Sequence, residues 1–281
     1  IQASHDTLQS LGSAVPPVVV ARVDFLLGAM YLNWTDVRRG KDWLERSVPV
    51  LLKSNPSLRM QRYIAANQGK LANYLGQIEA AISYYEASKH LAERLSGRGN
   101  PLLAGDYLTL ARELTIARQF ERAEAVLNEA PLVPSSAGIS SYGLGIGFAR
   151  AQIALDRGDP GTAIALLPPI EQLSEFARAT TLALYGNATC RAGRPEEGLR
   201  LMQQNLSSME ANGYYRSDPD RAKVMSETGL CALAAGDRSL AMKYARAARQ
   251  VFDEEPLIGA HFQTNLLELE RKLGVVGQPL Q

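Results

Sequence analysis

Histidine is the side chain most often used to move protons or hold a metal near neutral pH, and this chain has three, His5, His90 and His261. None has a second His or a Cys at a metal-ligand spacing. There is no His-Glu-x-x-His helix face and no Gly-x-Ser-x-Gly nucleophile elbow. Gly143-Leu144-Gly145-Ile146-Gly147 has the glycine density of a phosphate-binding turn, but Phe148 stands where the third required glycine belongs and no strand precedes it. A flexible loop feeding a helix is expected there. Cys190 and Cys231 are too few for a disulfide scaffold; they read as small core side chains in a reducing compartment, while a disulfide between neighbouring units would require export. Glu196-Glu197 falls where a helix begins, and two acids there offset the helix dipole without any catalytic role. The Asn-x-Ser/Thr triplets beginning at Asn33, Asn187 and Asn205 arise readily at this composition. No catalytic residue, metal ligand or cofactor site is therefore expected, and the chain does not read as an enzyme.

Bulk properties point the same way. Thirty basic residues against twenty-nine acidic ones leave a net charge of +1, so no global field draws nucleic acid or an anionic membrane. The apolar runs, such as Val15 to Val20, fall far short of the roughly 20 residues that span a bilayer. A chain opening at Ile1 reads as an excerpt of a longer protein or as a mature form.

The chain is organised by spacing rather than by a motif. Tyr185, Gly186, Gly193 and Gly198 are echoed by Gly229, Gly236 and Ala241. Followed through the whole chain, a small residue recurs early in the second helix of each pair, at Gly40, Ala81, Ala123, Ala163, Gly198 and Ala241, with steps of 41, 42, 40, 35 and 43 residues. Twelve residues before each stands another, at Gly28, Gly69, Ala111, Ala151, Gly186 and Gly229. A fixed offset between two small residues means two helices crossing at one close contact, and units stacked this way make a solenoid. Apolar periodicity places a first helix from Pro17 to the turn at Asn33 to Asp36 and a second from there through Leu52, then first helices near 58–74, 101–117, 140–156, 174–191 and 219–234 and second helices near 77–95, 119–130, 160–173, 195–211 and 237–253. Turns such as Gly158-Asp159-Pro160, Gly193-Arg194-Pro195 and Gly236-Asp237 have the Gly of a helix C-cap followed by an N-cap or a helix-starting Pro. Pro49 should kink the second helix, and Pro168-Pro169 should interrupt the eighth.

These positions carry a family resemblance. Leu27-Gly28-x-x-Tyr31 with Gly40 and Ser47, then Gly69, Gly76, Ala81, Tyr85 and Ser88, then Tyr107, Leu110, Ala111, Ala123, Leu127 and Ala130, and finally Gly229, Gly236, Ala241 and Ala248 resemble the tetratricopeptide repeat pattern. The long period is similar to the kinesin-light-chain-like variety, although the usual Trp of the first helix is absent throughout. Phe120-Glu-Arg-Ala-Glu-Ala-Val-Leu resembles the style of repeats appended to bacterial Ser/Thr kinases or winged-helix regulators. The expected architecture is an all-α solenoid of about six helix-turn-helix repeats over 17–256, with a frayed lead-in at 1–16, a capping helix at 257–273 and a flexible tail at 274–281.

The resemblance also implies where a partner sits, because in this family the first helices line the concave side and ligands lie there. On that reading the groove is lined by Tyr63, Asn67, Lys70, Asn73, Tyr74, Thr109, Arg112, Thr115, Gln152, Asn187, Arg191 and Lys223. Amides can pair with a peptide backbone, cations can meet carboxylates, and tyrosines offer flat apolar area. Asn67, Lys70 and Asn73 together look like the family's carboxylate clamp, which grips an acidic C-terminal peptide; the alternative is a polar, water-filled groove. Lys70 and Arg112, as surface charges, are expected to be replaceable without loss of stability. The function expected is a non-catalytic interaction scaffold that binds a peptide or protein partner, part of a larger bacterial signalling protein. The alternative is a sensing domain that controls an attached kinase or DNA-binding module. No nucleic-acid or membrane contact is expected from this segment, and the compartment reads as cytoplasmic, or periplasmic if fused behind a membrane span.

Overall fold

The computed structural model describes residues 5–7, 10, 15–131, 141–173, 175–211 and 218–275. The described residues hold helices and turns and no strand. Six helix pairs follow one another: α1 (Pro17–Asn33) with α2 (Val37–Lys53), α3 (Leu58–Tyr74) with α4 (Ile78–Ser96), α5 (Ala104–Ile116) with α6 (Phe120–Glu129), α7 (Ser141–Asp156) with α8 (Pro160–Leu166), α9 (Glu175–Arg191) with α10 (Pro195–Ala211), and α11 (Pro219–Ala234) with α12 (Arg238–Glu254). A last helix, α13 (Thr264–Leu273), packs against α11 and α12.

What fixes each pair is the small-residue crossing. All twelve residues of the two series are buried. In the fifth pair a Cβ added at Gly198 would lie 2.5 Å from the Gly186 carbonyl oxygen and 2.7 Å from the Cys190 nitrogen, so the two backbones touch. The turn between partners is equally regular. In every pair a backbone N–H reaches back five residues: Asp36 to Tyr31, Gln77 to Ala72, Gln119 to Leu114, Asp159 to Ala154, Arg194 to Thr189 and Asp237 to Ala232. This is the Schellman closure, which needs a left-handed residue just before the donor. Gly76, Gly158, Gly193 and Gly236 supply it, while Thr35 and Arg118 adopt positive φ without being glycine.

Helix α2 contains Pro49 and runs on to Lys53, and helix α8 stops at Leu166, in keeping with the break expected at Pro168-Pro169. Other expectations are corrected. The run from Gly143 to Gly147 lies inside α7, not in a loop; a Cβ at Gly145 would stand 2.7 Å from Leu108, so glycine there admits a neighbouring helix. The lead-in is not wholly frayed, because His5 Nδ1 lies 2.7 Å from Asp24 Oδ1 and its ring packs edge-on to Trp43. Residues 260–263 form a 3-10 turn, so the cap is α-helical only from Thr264. It buries Leu266, Leu269 and Leu273 and is tied to α12 by a two-pronged Arg249–Glu270 ion pair. The tail expected to be flexible lies, beyond Val275, outside the described residues.

The cysteines are paired. Cys190 on α9 and Cys231 on α11 form a disulfide with Cα atoms 5.9 Å apart, closing 41 residues of chain. The reading of two separate core thiols is overturned, and with it the argument for a reducing compartment. The crossings place the sulfurs together, since each cysteine belongs to a first helix and first helices are neighbours in the stack.

A second closure was not expected. The superhelix turns far enough for the segment before α13 to reach the second pair. Gly259 N–H donates to the Tyr74 carbonyl at 2.7 Å, and the Tyr74 and Phe262 rings stack with centroids 6.1 Å apart. A Cβ at Gly259 would lie 2.4 Å from the Gly76 Cα, so the two glycines allow backbone to meet backbone.

Two stability predictions follow from this geometry. Gly198→Ala should cost about 1–3 kcal/mol because its obstacle is backbone, whereas Gly28→Ala meets only the flexible end of Leu44 and the Trp43 Cβ and should stay within about 1 kcal/mol of neutral, helped by the better helix propensity of alanine. Denaturant melts of the two variants check the difference. Reducing the disulfide should lower unfolding free energy by about 2–4 kcal/mol, and a Cys231→Ser variant should melt alike with or without reductant.

Candidate functional site

The first helices α3, α5, α7, α9 and α11 turn one face towards the axis of the superhelix, and the closure at Gly259 brings the two ends of that surface together. Lys70 on α3 extends over the Tyr74 ring, 5.7 Å from its centroid, and its Nζ donates to Asn33 Oδ1 at 2.8 Å. Burial lowers its pKa, with repulsion from Arg112 adding to the effect and Asp220 and Asp218 opposing it. Those acids open α11 on the opposite wall: Asp218 is the N-cap, accepting from the Asp220 N–H at 2.8 Å. Arg112 keeps 57% of its side-chain surface accessible, yet surrounding protein desolvates it. That combination fits a side chain standing in a concave surface rather than on an outer face. Lys223, one turn into α11, feels Glu227, Asp220 and Asp156 and is held charged in spite of burial.

The resulting site is amphoteric. Cations Lys70, Arg112 and Lys223 face anions Asp218, Asp220, Glu227 and Asp156. Arg112 is committed to Glu113, a fully buried carboxylate that also accepts from Asn73 Nδ2 at 2.7 Å. Glu227 accepts from Asn265 at 2.9 Å and bonds Asn187, with burial raising its pKa and Lys223 opposing. Burial pushes the Asp218 carboxyl up to about 6, Asp220 adding to the rise. His261, next to Phe262, is pushed down to about 4 by burial and then by Lys223, so its ring is neutral.

The structure divides the expected groove residues. It gathers Lys70, Arg112 and Lys223 around one space and sets Asn187 and Arg191 beside Glu227. Asn73 and Tyr74 are buried, the one holding Glu113 and the other stacked on Phe262, so both are structural. Asn67 donates to the Tyr63 carbonyl, Tyr63 stands exposed, Thr109 and Thr115 donate to Gly105 and Ala111 of their own helix, and Gln152 bonds Asp156. The carboxylate-clamp reading loses Asn73 to Glu113, and Asp218 and Asp220 oppose an acidic ligand. Arg112 is likewise not a dispensable surface charge. The sequence reading missed Glu113, Asp218, Asp220 and His261. Glu113 had a signal in its adjacency to Arg112 on one helix; Asp218 read only as the cap before Pro219; His261 is placed by a contact distant in sequence.

Two predictions test these electrostatics. Arg112→Glu should cost about 1–3 kcal/mol, since it replaces one of the two partners of a buried carboxylate with a like charge while Asn73 remains and solvent screens the half-exposed position; a variant melting like the parent would show Asn73 alone to compensate Glu113. Asp218 contributes stability only while protonated, a contribution complete below about pH 4 and lost as pH rises through about 6. Asp218→Asn, which keeps a good N-cap, should therefore raise stability by about 1–3 kcal/mol near pH 7.5, with the gain vanishing near pH 4. Thermal melts across that range check it.

No family model matches the chain, and no curated protein does. Among the described residues no helix is long and apolar enough to cross a membrane, and no group of His, Cys, Asp and Glu could hold a metal ion. Solved structures do resemble it. The apo form of the quorum sensor NprR from B. thuringiensis aligns with a TM-score of 0.59 at 13% identity, over 99% of this chain and 76% of that one. NprR in complex with its cognate peptide NprX aligns with a TM-score of 0.59 at 13% identity, over 98% and 79%. The likeness shows the fold: the chain is an all-α superhelix of the tetratricopeptide-like kind.

Proposed function

We propose that the chain is a non-catalytic receptor segment that holds a short peptide, or a peptide-like stretch of a protein partner, in the hollow lined by α3, α5, α7, α9 and α11. The observation carrying this reading is the set of charges kept apart around that space. Asp218 is held largely ionised at neutral pH against a burial that raises its pKa, a cost to the fold. Charges retained at the expense of stability mark functional sites. The likeness to a solved complex of NprR with its cognate peptide supports a peptide as the occupant.

A sensing role is favoured over a passive scaffold by one feature. The closure of the superhelix through Gly259, Tyr74 and Phe262 abuts the hollow, so an occupant touching Lys70 leans on the contact that sets the curvature. Such a segment would control an attached module, a kinase or a DNA-binding domain in the style of its repeats. The disulfide favours an oxidising setting, hence the periplasmic alternative over the cytoplasm, since disulfides seldom persist where thiols are kept reduced.

The test is a peptide-array screen with the labelled chain, followed by Lys70→Glu, which alters a groove charge without orphaning Glu113. Retained peptides should lose at least about tenfold in affinity while helicity stays constant. Retention unaffected by Lys70→Glu would place binding elsewhere.

A further inference from the structure

We infer that the hollow selects a linear peptide carrying both an acidic and a basic side chain, the acid meeting Lys70 and the base meeting Asp218 and Asp220. This rests on the peptide-binding reading above and adds the chemistry of the ligand to it. Lys70 sits on α3, and Asp218 and Asp220 sit at the start of α11. They act on one another electrostatically, yet among the described residues neither Lys70, Asp218, Asp220 nor Lys223 makes an ion pair within 4.0 Å. Opposite charges that face across a gap without touching leave each half-solvated, and a ligand bearing both signs completes both at once. Burial strengthens such contacts relative to water.

Ligands of a single sign fit worse. An acidic peptide would find Arg112 already committed to Glu113 and would meet Asp218 and Asp220 beside Lys70. A basic one would leave Lys70 unmet and approach Lys223 and Arg112. The neighbouring imidazole points to a peptide rather than a small zwitterion. Both ring nitrogens of His261 are buried without a hydrogen-bond partner among the described residues. Each nitrogen exposes under 1 Å², so a peptide C=O and N–H can satisfy the neutral ring's one donor and one acceptor only once the ring turns into the hollow. Buried polar atoms left unsatisfied in a folded chain call for a partner.

The experiment uses the whole chain and four sets of dye-labelled, end-blocked heptapeptides in one Asn/Ala/Leu background: one Asp and one Lys at varied separations, Asp alone, Lys alone, and neither. Anisotropy at neutral pH should show the mixed set binding at least about tenfold tighter than either single-charge set. Lys70→Gln should erase only the gain from Asp, and the Asp218→Asn, Asp220→Asn double variant only the gain from Lys. Free aspartate plus lysine at equal concentration should not compete. An Asp-only set binding as tightly as the mixed set, or competition by the free amino acids, overturns the inference. Four sets binding equally would overturn charge selection and leave the peptide-binding reading standing; no set binding would overturn both. Should a variant fail to melt cooperatively, salt decides: the advantage of the mixed set must shrink between about 50 and 500 mM, and a salt-independent advantage overturns the proposal.

Discussion

Close approach of paired helices is the constraint from which the architecture follows. A helix pair that meets through glycine or alanine can cross at only one height, because any larger side chain would have to occupy space held by backbone, as at Gly186 and Gly198. The left-handed turn that follows each first helix fixes the direction in which its partner leaves. With height and direction both set, each pair repeats the placement of the last, and small rotations accumulate into a superhelix. Bulk hydrophobic burial then stabilises this arrangement without choosing it. The core is divided accordingly, with one apolar cluster centred on the second and third pairs, another on the fourth and fifth, and a larger one joining the two ends.

Curvature converts a repeating surface into an enclosed one. Polar residues that would be solvated on an open stack are brought within electrostatic range of groups over a hundred residues away, as Lys70 is with Asp218. Some are neutralised locally, Glu113 by Arg112 and Asn73, and these behave as parts of the fold. Others remain across a gap from their opposites. The distinction matters because it separates charges that stabilise the chain from charges that burden it, and a selection that kept only stability would have replaced the latter.

Much of the repeat was legible from spacing alone, since the crossing residues and the turn glycines are local features with a fixed offset. The helix-pair order and the burial of Gly28, Ala81, Ala123 and Ala241 follow from it. Sequence was silent where a contact depends on accumulated rotation. Nothing near Tyr74 announces that Phe262 will stack on it, so a tyrosine counted as groove surface is instead a wall. Asn73 reads as a ligand-facing amide by register, yet its partner is a carboxylate on the next first helix. The Gly143–Gly147 run misled for another reason: glycine permits a turn, but Gly145 here admits a packed leucine. The disulfide lay between these cases, since a separation of 41 residues is close to one repeat and so places both cysteines on adjoining stretches of successive first helices.

The hollow and the closure share residues, and this couples them. Tyr74 lies under the Lys70 ammonium on one side and against Phe262 on another, while its carbonyl holds Gly259. His261, whose nitrogens face no described partner, adjoins the Phe262 ring. Any occupant that draws Lys70 or His261 into a new contact changes the surroundings of the aromatic stack, and any strain that parts Gly76 from Gly259 moves the wall that carries Lys70. By linkage each must bias the other by the same free energy. The backbone approach at Gly76 and Gly259 sits within the apolar cluster that joins the two ends, so the contact is stiff and an occupant shifts it only through a correspondingly large difference in interaction energy.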